Sequence, residues 1–337
     1  MIFPKWIKKG DCIGVTACSA GKTEPVDLVR LDNAARQLEA RGYRVLETPD
    51  VRKNEKGRSA PARVRAEQLH SLVRNPEVTW VIQACGGDYL AEMLSFADFE
   101  EIKRNPKWYQ GYSDPTGLLF SVTTNCDLAT VYAGNFADFG MEKWHRSLEE
   151  NVALLEGASL IQRSFPMYRN GFVERVTGYE DFKEDTPVRW ECKQRTAVLS
   201  GRLLGGCLDV LLDLVGTRFD KTAEWCNRYK EDGILWYLES FALSAERLTC
   251  GLWHLKEAGW FEHAGGFVFG RPAFFSGDNG VTYREAVESV LGELDLPIVY
   301  EADIGHKAPR MTMINGAKGR FTVEDGRGEF LLLYPEK

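Results

Sequence analysis

Residues 78–114 read VTWVIQACGGDYLAEMLSFADFEEIKRNPKWYQGYSD. VTWVIQA is a short apolar, β-branched run closing on two glycines, and it predicts a buried strand over 78–87. YLAEMLSFADFEEIKRN (89–105) has helical periodicity, and KWYQGYS (107–113) is again strand-like. Strand, helix and strand in so short a span form a βαβ unit, which requires a parallel sheet with helices packed on it. The same rhythm continues upstream. CIGVTACSA (12–20) reads as a buried strand and VDLVRLDNAARQLEARG (26–42) as a helix ended by glycine. YRVLETPD (43–50) reads as a strand and ARVRAEQLHSLVRN (62–75) as a helix. The first half is therefore expected to be an α/β domain with a parallel sheet, flavodoxin- or amidotransferase-like.

The rhythm changes after about residue 140. Residues 166–196 are charged, turn-rich and weakly periodic, and predict a linker between an N-terminal domain (1–165) and a C-terminal one (197–337). The second domain opens on AVLSGRLLGGCLDVLLDLVG (197–216). GILWYLES (233–240) predicts a buried strand and AERLTCGLWHLKEAGWF (245–261) a helix. GGFVFGRP (265–272), LPIVYEADIGH (296–306), GRFTVEDGRG (319–328) and EFLLLYPE (329–336) are strand candidates. The last two flank Asp-Gly-Arg-Gly and predict a terminal hairpin.

At 337 residues and 44% hydrophobic, the chain can bury a sizeable core. A net charge of −7 without a dense Lys/Arg block argues against a nucleic-acid surface, where a basic face is expected, and leaves room only for a local basic patch. The N-terminal 21 residues have no long apolar core after their positive charges, which predicts no signal peptide, and no run approaches the length of a membrane span. Eight scattered cysteines with no CxxC pair predict reduced thiols in the cytoplasm. Five histidines with no HExxH and no helical pairing predict no metal site and no cofactor built on one.

Ligands of an open parallel sheet bind beyond the carboxyl ends of its strands. Two consecutive ends have an unusual composition, Cys85-Gly86-Gly87-Asp88 and Gly111-Tyr112-Ser113-Asp114. If these strands are neighbours, the glycine pair and Ser113 share one rim. The backbone amides of Gly87 and Asp114 would then form an oxyanion hole for an acyl group attacked by Ser113. Taken singly, each motif also reads as a turn or an N-cap. A nucleophilic serine needs a base. His306, after IVYEADIG, suits a loop at a strand end; His263 lies near a glycine turn, His254 in a helix, and His70 and His145 among charges, where solvation is expected. Glu239, ending the apolar ILWYLE, can orient the base, with Asp303 and Glu301 as rivals and a salt bridge to Arg247 as the structural alternative. Cys85 is a rival nucleophile, though a buried thiol suits its surroundings better. Gly201, Gly205 and Gly206 match no phosphate-binding pattern.

In that order the motifs resemble those of the LD-carboxypeptidase family of serine peptidases, which includes the microcin C immunity proteins. The resemblance runs over nearly the whole chain. It is carried by Gly86-Gly87, Gly111-Tyr112-Ser113-Asp114, Ser200-Gly201 with Leu204-Gly205-Gly206, Leu238-Glu239, and Gly305-His306 with Pro309. It implies an α/β sandwich followed by a β-rich α+β C-terminal domain, a Ser113–His306–Glu239 triad, and an oxyanion hole from the amides of Gly87 and Asp114. It implies no metal or organic cofactor, and homodimers are frequent. The implied substrate is a muropeptide cut at an L–D bond, or a microcin-like aminoacyl-nucleotide. Ala133-Gly134-Asn135-Phe136, Phe139-Gly140 and GGCLDVLLDLVGT (205–217) favour the immunity branch. Gly86 would line the substrate site. Trp190 would stack on a nucleobase, or else pack at the domain boundary. The alternative to a hydrolase is a peptide-binding α/β protein that uses the same pocket without catalysis.

Overall fold

The strand–helix rhythm of the first half folds into a parallel sheet. The structure, a computed structural model, describes residues 1–334. Pro335 and Glu336, the last two positions of the predicted terminal strand, lie outside the described residues. Two units divide the chain. One takes Met1–Ala158, Phe172–Lys183 and Thr312–Asn315; the other takes Ser159–Gly171, Glu184–Met311 and the residues from Gly316 on.

In the first unit the elements are Cys12–Thr16 (β1), Pro25–Ala40 (α1), Arg44–Glu47 (β2), Ala62–Arg74 (α2) and Val78–Gln83 (β3). Two short helices, Ala91–Leu94 (α3) and Phe99–Arg104 (α4), precede Trp108–Gly111 (β4), Thr116–Cys126 (α5), Thr130–Tyr132 (β5) and Arg146–Leu155 (α6). The strand order is β2-β1-β3-β4-β5, all parallel, with Met313–Asn315 added antiparallel beyond β5. β1 is buried at all five positions and β3 at five of six, as expected of strands covered on both faces. The helix predicted over 89–105 is broken in two. Asp98 leaves the helical path, its carboxylate accepts from the Glu101 amide at 2.9 Å, and α4 starts afresh from that cap. α5 is buried on nearly every side, which its Leu118, Leu119, Phe120 and Val122 allow.

The second unit contains Ile161–Arg163 (β6), Glu191–Cys192 (β7), Thr196–Cys207 (β8), Leu208–Leu214 (α7), Thr222–Arg228 (α8), Ile234–Glu239 (β9), Ala245–Glu257 (α9), Ala264–Gly270 (β10), Tyr283–Leu291 (α10), Ile298–Ala302 (β11), Lys318–Glu324 (β12) and Arg327–Leu333 (β13). Met167–Tyr168 and Thr186–Pro187 form a small antiparallel ribbon. The eight-stranded sheet runs β6-β13-β12-β8-β9-β10-β11-β7. Its centre, β8 to β11, is parallel, and the remaining pairings are antiparallel. The register sets Cys207 opposite Glu239 at the carboxyl end of β8 and β9.

These units divide the chain differently from the predicted 1–165, 166–196 and 197–337. The predicted linker is shared, with 172–183 in the first unit and its remainder in the second. Met313–Asn315 returns to the first unit because its backbone pairs with β5. Three residues that join a sheet edge through main-chain bonds carry no side-chain period for a sequence reading to detect.

Candidate active site

The first unit brings three loops to one rim. Strand order reverses between β1 and β3, the switch point at which a doubly wound sheet opens a crevice. Ser19 follows β1, Gly86-Gly87 follow β3, and Ser113-Asp114 follow β4. Ser113 has φ +70°, a left-handed conformation that costs a non-glycine residue energy and must be held by its surroundings. The hold is visible. Thr116 donates to the Ser113 carbonyl from its amide at 2.9 Å and from its hydroxyl at 2.6 Å. The Ser113 amide donates to the Tyr132 hydroxyl at 3.4 Å, and the Tyr112 amide to Asn135 Oδ1 at 3.2 Å. A serine on a strained strand-to-helix turn is the arrangement that presents a nucleophile above a sheet.

Asp114 ties the three loops together. It is buried, and its carboxylate accepts from the Ser19 hydroxyl and, at 2.9 Å, from the Leu90 amide. Burial pushes its carboxyl up, while those two donors pull it back. A Cβ on Gly86 would lie 3.1 Å from both Ser113 Cβ and Oγ. A Cβ on Gly87 would come within 2.3 Å of Ser19 Oγ, so the loop passes that hydroxyl only as glycine. Among the described residues the amides of Gly87 and Asp114 donate to no acceptor. Two unsatisfied amides flanking a strained serine are the groups an oxyanion hole requires. Cys85, the rival nucleophile, is a poorer one: burial pushes its thiol up to about 11, and its Sγ faces the Ala20 carbonyl at 3.1 Å.

In the second unit Glu239 and His306 are brought together. Glu239 is 0% exposed, and His306 Nδ1 lies 2.9 Å from its Oε2. Gly305 makes this seat possible. It has φ +95°, and a Cβ there would lie 2.6 Å from Glu239 Cγ. Arg310 Nε donates to the Gly305 carbonyl at 2.8 Å and steadies the loop. The Phe241 ring packs 4.7 Å from the His306 ring. Its own loop is fastened by Asp209, whose carboxylate accepts from the amides of Phe241 at 2.8 Å and Ala242 at 2.9 Å. A buried carboxylate on Nδ1 fixes the imidazole tautomer and supports its positive form when Nε2 takes a proton.

Cys207 adds a thiol beside the pair. Donor atoms of Cys207, Glu239 and His306 lie within 4.8 Å of one another. Burial, followed by the charge of Glu239, raises the Cys207 thiol well above its ordinary value. A metal would need the thiolate that this setting opposes.

The remaining candidates are occupied elsewhere. Asp303 is fully buried and takes Trp190 Nε1 at 3.0 Å, the Phe165 amide at 3.1 Å and an ion pair with Arg271. Trp190 is 1% exposed, with its ring against Phe321 and Gly328, so its indole is a core group and offers no face to a base. His263 stands at the amino end of β10, away from the carboxyl rim. His70, expected in solvent, is buried, and its Nε2 accepts from the Asp98 amide at 3.0 Å. His145 caps α6. Gly201, Gly205 and Gly206 lie within β8. Ser19, Cys207, Asp209 and Phe241 were not singled out from sequence. For Ser19 a signal existed, since it lies just past the first strand, at a carboxyl end of the sheet. Asp209 acts on amides 32 and 33 residues away and carries no local mark.

Comparison with known proteins gives these features a context. The family model of the LD-carboxypeptidase N-terminal domain matches residues 13–133, and that of the LD-carboxypeptidase C-terminal domain matches residues 200–321. The "Probable murein peptide carboxypeptidase" of Bacillus subtilis (strain 168) is 27% identical over 327 residues, covering 96% of this chain and 92% of the relative. The microcin C7 self-immunity protein MccF of Escherichia coli is 24% identical over 332 residues, covering 92% and 90%. A solved structure of MccF with aspartyl sulfamoyl adenosine superposes with a TM-score of 0.81 at 21% identity, covering 99% of each chain, which shows a shared fold.

Proposed function

Because the chain belongs to the LD-carboxypeptidase family of peptidases, we propose that it hydrolyses an amide bond in a small peptide or peptidyl-nucleotide through Ser113, His306 and Glu239. The observation that carries this reading is the buried Glu239–His306 pair, 2.9 Å apart, in a chain that also holds Ser113 at φ +70°. His306 Nε2 removes the Ser113 proton as Oγ attacks the carbonyl carbon, with Glu239 holding Nδ1. The amides of Gly87 and Asp114 receive the oxyanion. Collapse expels the amine, which takes its proton from His306, and leaves an acyl-serine. Water, deprotonated by the same imidazole, then attacks the ester and restores Ser113. No metal or organic cofactor enters these steps.

Two substrate classes fit. A muropeptide would be cut to release a terminal amino acid, as the name of the Bacillus relative suggests. An aminoacyl-nucleotide of the kind bound by MccF would be cut at its aminoacyl amide, the class that the Ala133–Phe136 and 205–217 segments favour. Eight free cysteines suit a reducing cytoplasm, and among the described residues no helix is long and apolar enough to cross a membrane. We place the protein in the cytoplasm as a homodimer, which sedimentation of the purified chain would check. Hydrolysis of an L,D-tetrapeptide and of aspartyl sulfamoyl adenosine tests the activity. Ser113→Ala is expected to lower kcat at least about 10⁴-fold on the better substrate. A variant as active as the parent, or a parent inert on both compounds, would sink the assignment.

A further inference from the structure

Arg271 directly follows β10 and is 1% exposed. Its guanidinium lies over the Tyr168 ring, 4.2 Å from the centroid, and Nη2 stands 2.8 Å from Asp303 Oδ1. The other oxygen of Asp303 is occupied by Trp190 and Phe165, so this anchor is fixed. Among the described residues none of Nε, Nη1 and Nη2 makes a well-formed hydrogen bond; Nη2 has only its ion pair with Asp303, and Glu301 Oε2 is 3.8 Å from Nε. These donors line a cavity of about 250 Å³ within the second unit, together with Tyr283, Tyr300 and Glu301, with Arg284 and Glu191 paired at its wall. Among the described residues the buried hydroxyls of Tyr283 and Tyr300 make no well-formed hydrogen bond either, with Ser240 beside the first and Glu288 beside the second.

Donors outnumber acceptors here: the three guanidinium nitrogens and both phenols make no well-formed hydrogen bond, against Asp303 Oδ1 alone among the carboxylate oxygens that face them, and that oxygen stands 2.8 Å from Nη2. A buried cationic donor without an acceptor is costly, and a planar fork of N–H groups matches the two oxygens of a carboxylate or phosphate. Glu301 does not serve as that acceptor. It is held at φ +60° with Oε2 3.8 Å from Nε, beyond hydrogen-bond distance. A Cβ on Gly270, the residue before Arg271, would lie 3.1 Å from Glu239 Cβ.

We propose that the Arg271 cavity is an oxyanion-binding subsite that takes the free carboxylate or phosphate of a ligand, with Nε and Nη1 of Arg271 as its fork and Tyr283 and Tyr300 as flanking donors. It rests on the peptidase reading only for the origin of that ligand; the site itself stands on its own donors. Isothermal titration of the Ser113→Ala protein tests it with two acid–neutral pairs: N-acetyl-D-alanine against its amide, and adenosine monophosphate against adenosine. At least one acid is expected to bind about tenfold or more tightly than its neutral partner, and which one does so separates the carboxylate source from the phosphate source. Arg271→Lys keeps the charge against Asp303 but loses the fork, and is expected to weaken that acid about tenfold while leaving the neutral partner unchanged. Should Arg271→Lys fail to fold, Tyr283→Phe combined with Tyr300→Phe decides by the same readout. Equal binding of acid and neutral forms, no binding of either acid, or unaltered binding by the variants would overturn the subsite. Hydrolysis is a separate measurement: an inert parent that still binds the acid through Arg271 refutes the peptidase reading and leaves the subsite standing.

Discussion

Gly305 shows how little room the Glu239–His306 pair leaves. Its backbone is left-handed, and the space a methyl group would need is filled by the Glu239 side chain. Gly305→Ala therefore forces either the glutamate or the loop to move. We expect stability to fall by about 1–3 kcal/mol. Activity should fall far more, about 100-fold in kcat with KM little changed, because the imidazole loses the partner that orients it. Circular dichroism would verify the fold and steady-state kinetics the split; a variant with parental kcat would mean that the close seat of Glu239 is immaterial. At this scale the candidate site was legible where a polar side chain ends an apolar run, as Ser113, Glu239 and His306 each do. It was silent where a side chain acts at a distance, as Asp209 does on the Phe241 loop. For Trp190, an aromatic in a loop-like stretch suggested a ligand face, but the indole had gone to the core to meet Asp303.

Among the elements, α6 carries a pH-sensitive start. His145 accepts from the Ser147 amide at 3.1 Å, and its ring lies 5.5 Å from that of Phe182. Burial, followed by repulsion from Arg146, lowers its pKa from 6.5 to about 4. Between those values the unfolded chain binds a proton that the native helix refuses, so native stability falls as pH drops through this window and is fully present above it. Asparagine caps a helix as well as any residue and does not titrate. His145→Asn should therefore show a smaller loss of unfolding free energy between pH 7.5 and pH 4.5 in urea titrations, and equal losses would show that His145 does not govern the dependence. The elements themselves were mostly legible. β1, β3 and β4, with α1 and α2, follow their apolar periods. The break between α3 and α4 escaped notice because the apolar period runs on across it, and a single capping carboxylate decides where the second helix begins.

Over the whole chain the two units are interleaved. The sheet of the first closes with Met313–Asn315, and the second draws β6 from before the predicted linker. A fragment of residues 1–165 would leave the β5 edge unpaired, with Val131 and Tyr132 on an open strand. Such a fragment is expected to elute as soluble aggregates and to melt without a cooperative transition; a monomeric fragment with a sharp transition would show that the returning strand is dispensable. The same interleaving sets a timetable for biosynthesis. β5 emerges from the ribosome early, but its final neighbour follows roughly 180 residues later, about 10–40 s at ordinary elongation rates. For that interval the nascent protein carries an unfinished sheet, and its need for chaperone protection should end only when Asn315 clears the exit tunnel.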